Sequence, residues 1–243
     1  MFKVSMLTAS LASMALVACG GGGGGAAPAA APVAVANAAE GIWGGAITGG
    51  DTFLFTILEN GETWSLSASA TSIGLLSGTT TISGSSATVA GTTFTGGQGS
   101  VSSTKGFAAT VVPKATLNGV LTPGTTALST TYDTTYDTAP SLAAVAGSYA
   151  GVVGTVKTAR SAFALAISAT GVVAATSGPC VIAGTATPRA SGKGVVNLAL
   201  TLTGCDFSSA TGVAMFDPKT KTLVVMAMNP AKTDGMVFAG VKP

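Results

Sequence analysis

Histidine is absent from the 243-residue sequence. That removes the commonest general base and the commonest metal ligand. No Ser-His-Asp or Cys-His arrangement can be built without it. Charge is scarce too: Asp, Glu, Lys and Arg together make up 8% of the chain, and Arg160 and Arg189 are the only arginines. The closest cations are Lys219 and Lys221, beside Pro218. The clustered cationic surface that nucleic acid requires is therefore missing. The carboxylates offer few pairs for acid-base work. Asp133 and Asp137 form one such pair. Glu59 and Glu62 form the other, and they flank Asn60-Gly61, which reads as a solvated turn. The sequence therefore points away from an enzyme, with no catalytic residue and no metal ligand to name.

Hydrophobic residues make up 47% of the chain and glycines number 34. That much apolar content is incompatible with disorder. Small and β-branched residues dominate, which suits sheets and turns. The body from Glu40 to Pro243 is long enough for one large β domain or two small ones.

The amino-terminal stretch has its own pattern. Lys3 precedes an apolar run from Val4 to Val17, which at about 14 residues is too short to cross a bilayer as a helix. A basic start, a short apolar core and small residues at the end describe a secretory signal. The end reads Leu16-Val17-Ala18-Cys19-Gly20 and resembles the lipobox of bacterial lipoproteins. The resemblance implies cleavage before Cys19 and a lipid on its thiol, with membrane anchoring through more than one acyl chain. That covalent lipid is the one cofactor expected. Gly20 stands where an inner-membrane retention signal has Asp, which implies the outer membrane. Gly20 to Gly25 and an Ala/Pro segment to Ala39 read as a flexible tether. A phosphate-cradling loop needs a preceding strand, a following helix and a placed Lys, none of which is present.

With Cys19 lipidated, Cys180 and Cys205 remain. An exported chain enters an oxidising compartment, so the pair is expected to form a disulfide. It closes a loop of about 25 residues, worth roughly 3 kcal/mol. Two buried free thiols are the other reading.

The body contains an internal repeat. Gly41-Ile42-Trp43-Gly44-Gly45 parallels Gly147-Ser148-Tyr149-Ala150-Gly151. Phe53, Phe55 and Ile57, followed by Gly61, parallel Phe163, Leu165 and Ile167, followed by Gly171. A looser match sets Gly119, Pro123 and Leu128 against Gly212, Pro218 and Leu223. The runs alternate with period two, the strand signature. Phe53, Phe55 and Ile57 are expected to face inward, with Thr52 and Thr56 outward. Leu198, Leu200 and Leu202 follow the same rule. Turn signals at Glu59–Glu62, Ala169–Gly171 and Asp217–Thr220 separate the strands. The expected fold is all-β, with two tandem small antiparallel barrels or sandwiches, one larger sandwich being the alternative. Closure into barrels would remove exposed edges. The expected boundaries are a signal at 1–18, lipidated Cys and linker at 19–39, a first domain at 40–124, a linker at 125–144 and a second domain at 145–243.

The second half resembles a group of uncharacterised lipoproteins from Gram-negative proteobacteria. The resemblance is carried by Tyr132-Asp133-x-x-Tyr136-Asp137, Pro140 to Ala143 and Ala146 to Tyr149. It continues through Cys180, Thr187-Pro188-Arg189, Gly204-Cys205, Gly212 to Ala214, Leu223 to Asn229 and Gly235 to Phe238. It implies an anchor and a fold, and no activity. The plan is also similar to surface lipoproteins of the transferrin-binding or factor-H-binding type, which carry small β-barrels on a tether; fold likeness does not assign function.

Tyr132, Asp133, Tyr136 and Asp137 admit two readings. One is a ligand site built on rigid aromatic area. The other, which is preferred, is a staple at the junction, with rings packed on a barrel and carboxylates capping turns. Met226 and Met228 share a strand face with Met215 and Met236 nearby, which suits core filling or an adaptable surface. Taken together, the sequence predicts an outer-membrane lipoprotein that binds an unknown protein or glycan. A periplasm-facing structural or assembly role is the alternative.

Overall fold

A computed structural model of the chain describes residues 37–47, 51–104, 106–121 and 126–243. The signal segment, Cys19 and nearly all of the tether lie outside these residues. The first half forms β1 (Gly41–Ile47), β2 (Thr52–Ile57), β3 (Glu62–Ala68), β4 (Ile73–Ser83), β5 (Ser86–Thr95), β6 (Ser102–Thr104), β7 (Phe107–Val112), β8 (Thr116–Leu121) and β9 (Ala127–Asp133). Sequential hairpins pair antiparallel, β4 pairs β5, and β9 returns to pair β1. The result is a closed barrel of eight strands, with β6 added outside it against β5.

The second half repeats the plan without an extra strand. It comprises β10 (Gly147–Thr155), β11 (Ser161–Ile167), β12 (Val172–Ser177), β13 (Cys180–Pro188), β14 (Val196–Thr203), β15 (Ser209–Asp217), β16 (Thr222–Met228) and β17 (Gly235–Val241). These strands close an up-and-down barrel in chain order. The all-β expectation of two tandem antiparallel barrels is what the structure shows.

The two barrel openings are equivalent in detail. Trp43 Nε1–H donates to the Ala39 carbonyl, and the Tyr149 hydroxyl donates to the Val145 carbonyl. Each aromatic ring thus plugs its barrel from the first strand while tied to the chain four residues earlier. Gly61 and Gly171 take φ of 82° and 83°, a region that strains other residues. In both turns the glycine carbonyl accepts from the fourth wall strand, from Thr80 at 2.8 Å and Ala186 at 2.7 Å. The looser part of the repeat does not hold. Gly119 lies on β8, the seventh wall strand of its barrel, whereas Gly212 lies on β15, the sixth.

The expected linker at 125–144 is corrected. Its first part is β9, which closes the first barrel between β1 and β8. Leu128 and Thr130 are the buried positions of this strand, and the Thr130 hydroxyl donates to the Leu117 carbonyl at 2.6 Å. A Thr-rich strand with one inward leucine lacks the apolar alternation that betrays its neighbours. The first domain therefore runs past residue 124 to Asp133. The connection is residues 134–146, a single 3-10 turn followed by the short helix α1 (Leu142–Val145).

Each barrel has its own core, the first around Phe55 and Phe107, the second around Leu198, Leu200 and Phe238. A third apolar cluster lies between the barrels. Ile42, Trp64, Leu66, Ile73, Leu75 and Phe94 of the first meet Val213, Met215, Met226, Met228 and Val237 of the second. The residues come from the outer faces of the same strands that fill the barrels, so β16 and β17 are buried on both sides. Thr56, expected outward, points into this seam and donates its hydroxyl to Met215 Sδ at 2.6 Å. Residues 37–243 accordingly belong to one compact unit. Among the described residues no charge falls inside a strand: Glu62 begins β3, Asp133 ends β9, Asp217 ends β15, and all others sit in connections. The barrel walls are neutral and every described charge is at a barrel end.

Candidate functional site

The two ends of the second barrel differ. At one end the connection folds under the strands. Val145 of α1 is fully buried beneath Tyr149, which packs edge-on to Phe216. Lys242 Nζ donates to the Ala144 and Ala146 carbonyls and lies over both rings. This end is closed.

The other end is open. A cavity of about 300 Å³ occupies its mouth. Its floor is apolar, made by Val153, Phe163, Ile182, Leu202 and Met236. Its rim carries the hydroxyls of Thr155, Thr158, Ser161 and Ser177. The loop between β14 and β15 reaches over one side with Cys205, Asp206 and Phe207. That loop is held in three ways. Cys205 is disulfide-bonded to Cys180, the first residue of β13, with the two Cα atoms 4.6 Å apart. Asp206 pairs with Lys157 at 3.2 Å. Leu202 N–H donates to the Ser208 carbonyl at 2.8 Å. The disulfide expected from the cysteine count is therefore present, and it pins the wall of a cavity. The sequence pairs these cysteines but does not say what they hold in place.

The first barrel packs the equivalent residue differently. Phe53 occupies the place of Phe163, opposite Gly45 as Phe163 is opposite Gly151. Phe53 stacks on Phe55 at 5.6 Å and is 7% exposed. Phe55 in turn meets Phe107 edge-on at 4.6 Å. In the second copy the smaller Leu165 replaces Phe55, and Phe163 remains half-buried at the cavity wall. No local sequence pattern indicated the opening.

The Tyr-Asp segment lies elsewhere, with Tyr132 and Asp133 at the end of β9 and Tyr136 and Asp137 in the 3-10 turn of the connection. Tyr132 stands edge-on to Trp43 at 5.2 Å and donates its hydroxyl to Asp137 Oδ1 at 3.0 Å. Asp137 also pairs with Lys114 at 2.8 Å. Asp133 caps the 3-10 turn by accepting from Thr135 N–H at 2.9 Å. Tyr136 is fully buried, and its hydroxyl has no hydrogen-bond partner among the described residues. The structure brings all four residues together, and the side chains of Tyr132, Asp133 and Asp137 are hydrogen-bonded within the chain. Burial, followed by the Asp137 hydrogen bond and charge, pushes the Tyr132 phenol well above its ordinary value. The Lys114 hydrogen bond holds the Asp137 carboxyl below the carboxylate range.

The loop between β13 and β14 locks this segment to the second barrel. Gly194 N–H donates to the Tyr136 carbonyl at 2.7 Å. Lys193 lies 5.2 Å over the Tyr136 ring and pairs with Glu40 at 2.8 Å. Arg189 pairs with Glu59, and Arg160, at the far end of the seam, donates to the Ser69 carbonyl. Both arginines thus cross between barrels. Met215, Met226 and Met228 fill the seam, while Met236 belongs to the second barrel's core. Among the described residues, no group of three or more His, Cys, Asp or Glu is placed to hold a metal ion.

No family model, no curated protein and no solved structure matches this chain. Function has to be argued from the residues themselves.

Proposed function

We propose that the protein is a lipid-anchored envelope lipoprotein of a Gram-negative cell, whose two-barrel body is a binding module. The observation that carries the reading is the run Leu16-Val17-Ala18-Cys19-Gly20 standing ahead of a Gly-rich stretch. The run supplies a thiol directly after a small residue, which is what acylation and cleavage require. The stretch after it gives a folded body reach from the membrane. The body adds support of a different kind. Its walls are neutral, its two barrels are joined by an apolar seam, and one barrel mouth is open over an apolar floor. Small-molecule sites favour such concave, largely preformed places with a few polar groups at the edge. The partner class proposed is a protein or glycan of the envelope or its surroundings.

Two measurements test it. Mass spectrometry of the mature amino terminus should find Cys19 first in the chain and acylated, and Cys19→Ser should block both steps, leaving a longer, unlipidated chain that keeps its apolar amino-terminal run. An unmodified Cys19 within a longer chain overturns the anchor. Protease shaving of intact cells, read with an antibody to the body, then reports the side. Cleavage on intact cells supports outward ligand capture. Protection until lysis turns the reading to a periplasm-facing structural or assembly lipoprotein.

A further inference from the structure

We propose that the open mouth of the second barrel is a binding site for a small uncharged amphiphile, an apolar ring or short chain ending in a hydroxyl or amide. The inference deepens the binding-module reading and rests on it. Four observations lead there, and none depends on the anchor.

The first is size. A volume of about 300 Å³ is what roughly ten water molecules occupy in the liquid. It suits a ligand of comparable heavy-atom count. It is too small for a folded partner or a long acyl chain.

The second is polarity. The floor offers only carbon and sulfur from Val153, Phe163, Ile182, Leu202 and Met236. Hydroxyls stand at the rim alone. A ligand that leaves its polar end among Thr155, Thr158, Ser161 and Ser177 and buries its body below satisfies both.

The third is charge. Among the described residues Asp206 is the only charged side chain lining the cavity, and Lys157 pairs with it at 3.2 Å. A charged ligand buried here would find no uncompensated partner, which penalises it against a neutral one.

The fourth is preorganisation. The loop carrying Phe207 is fixed by the Cys180–Cys205 disulfide, by Lys157 and by the Leu202–Ser208 hydrogen bond. Ordering costs are already met before a ligand arrives. At the matching position of the first barrel Phe53 is buried and stacks on Phe55, whereas Phe163 lines the cavity.

The test uses the compact body, residues 37–243, exported behind a signal cut by an ordinary signal peptidase, so that the disulfide forms and neither lipid nor detergent is present to enter the cavity. The probe is p-cresol, with p-toluate as its charged counterpart and glucose as an all-polar control. Calorimetry gives affinity, and methyl NMR of Met236 and Ile182 gives location. p-Cresol should bind with Kd on the order of 1 mM or tighter and shift both methyls. p-Toluate should bind about tenfold more weakly. Ser161→Trp fills the mouth from its inward-facing rim position and should abolish the shift. Ser177→Trp serves the same purpose should the first variant fail to fold. Replacing both Cys180 and Cys205 by Ser should weaken binding while the barrel still melts cooperatively. Unmoved methyls up to the solubility limit of p-cresol, equal binding by the filled variants, or preference for p-toluate or glucose overturns the proposal. If p-cresol fails while envelope pull-downs with the body still recover a partner, the binding-module reading survives and this site alone falls.

Discussion

Arg189 donates twice to one oxygen of Glu59, through Nε at 3.2 Å and Nη2 at 2.8 Å, and so joins a loop of the second barrel to the β2–β3 turn of the first. The remaining Arg189 nitrogen, Nη1, donates to Asn197 Oδ1 at 2.7 Å. The two side chains are 12% and 23% exposed, which separates this pair from ordinary surface ion pairs worth little. Arg189→Met should destabilise the body by about 1–3 kcal/mol, because it leaves a half-buried carboxylate short of its donors. The effect should fade in acid. Burial works to raise the Glu59 carboxyl, but the Arg189 hydrogen bonds and charge outweigh it and hold it below its ordinary 4.5. A carboxyl depressed on folding adds stability above its unfolded value, and that increment is lost as pH falls through the folded value. Melting temperatures of both proteins across pH should converge below that range. A gap that stays unchanged once the carboxyl is protonated in the folded protein would show that the lost guanidinium acts through packing and not through charge.

Two buried phenols make opposite predictions. The Tyr149 hydroxyl donates to the Val145 carbonyl, whereas the Tyr136 hydroxyl has no partner among the described residues. Tyr149→Phe should cost about 1 kcal/mol and loosen α1 at the closed end. Tyr136→Phe should be neutral, or stabilising by up to about 1 kcal/mol, since it removes a desolvated group that gains nothing in return. Denaturant midpoints measure both. Equal losses would mean that Tyr136 has a partner in solution, and the junction would then deserve a renewed search for a ligand.

The sequence disclosed the barrels because their inner faces alternate: Phe53, Phe55 and Ile57 in one copy, Phe163, Leu165 and Ile167 in the other. The disulfide was legible from the cysteine count. The seam was less so, yet its mark is present. Leu223 to Met228 is an unbroken apolar run, which signals burial on both faces and not one. Strand β9 was hidden because Thr-Thr-Tyr carries no apolar period. The barrel mouth could not be read from local pattern. It is lined by residues from six strands and two loops that come together only when the second barrel closes. The partners of Arg160 and Arg189 were equally out of reach, because Ser69 and Glu59 come near them only across the seam.

All three tyrosines in the chain should resist ionisation. Burial is the leading cause at each: it pushes Tyr149 up to about 12, and with neighbouring carboxylates it holds Tyr132 and Tyr136 well above their ordinary 10. A phenol raised on folding contributes stability that is complete below its unfolded value and is lost as pH climbs above it. Alkaline titration should therefore show little tyrosinate absorbance in the folded protein near pH 10. The absorbance should appear together with loss of the far-ultraviolet β signal. Tyrosinate formed at ordinary pH while the fold persists would refute the burial of these rings.

The seam predicts its own breaking point at Gly154. A Cβ built there would stand 2.3 Å from Ile73 Cγ2, closer than real contacts allow. Gly154 lies on β10 of the second barrel and Ile73 at the start of β4 of the first, so the collision is between barrels and not within one. Gly154→Val should destabilise by about 1–3 kcal/mol through overpacking. Its effect should fall on the seam. Trp64 is buried there with its Nε1–H donated to Glu62 Oε1 at 2.8 Å, and its fluorescence should shift to the red. Residues 134–146 should become cleavable by protease before either barrel core unfolds. Ile73→Ala alone removes apolar contact and should also destabilise. Combined with Gly154→Val, it makes room for the new side chain, so the double variant should be more stable than the sum of the two losses implies. A coupling energy of this sign is what contact between the positions requires. Simple additivity would mean that the barrels separate at this point in solution, and the single compact body would have to be replaced by two barrels on a joint.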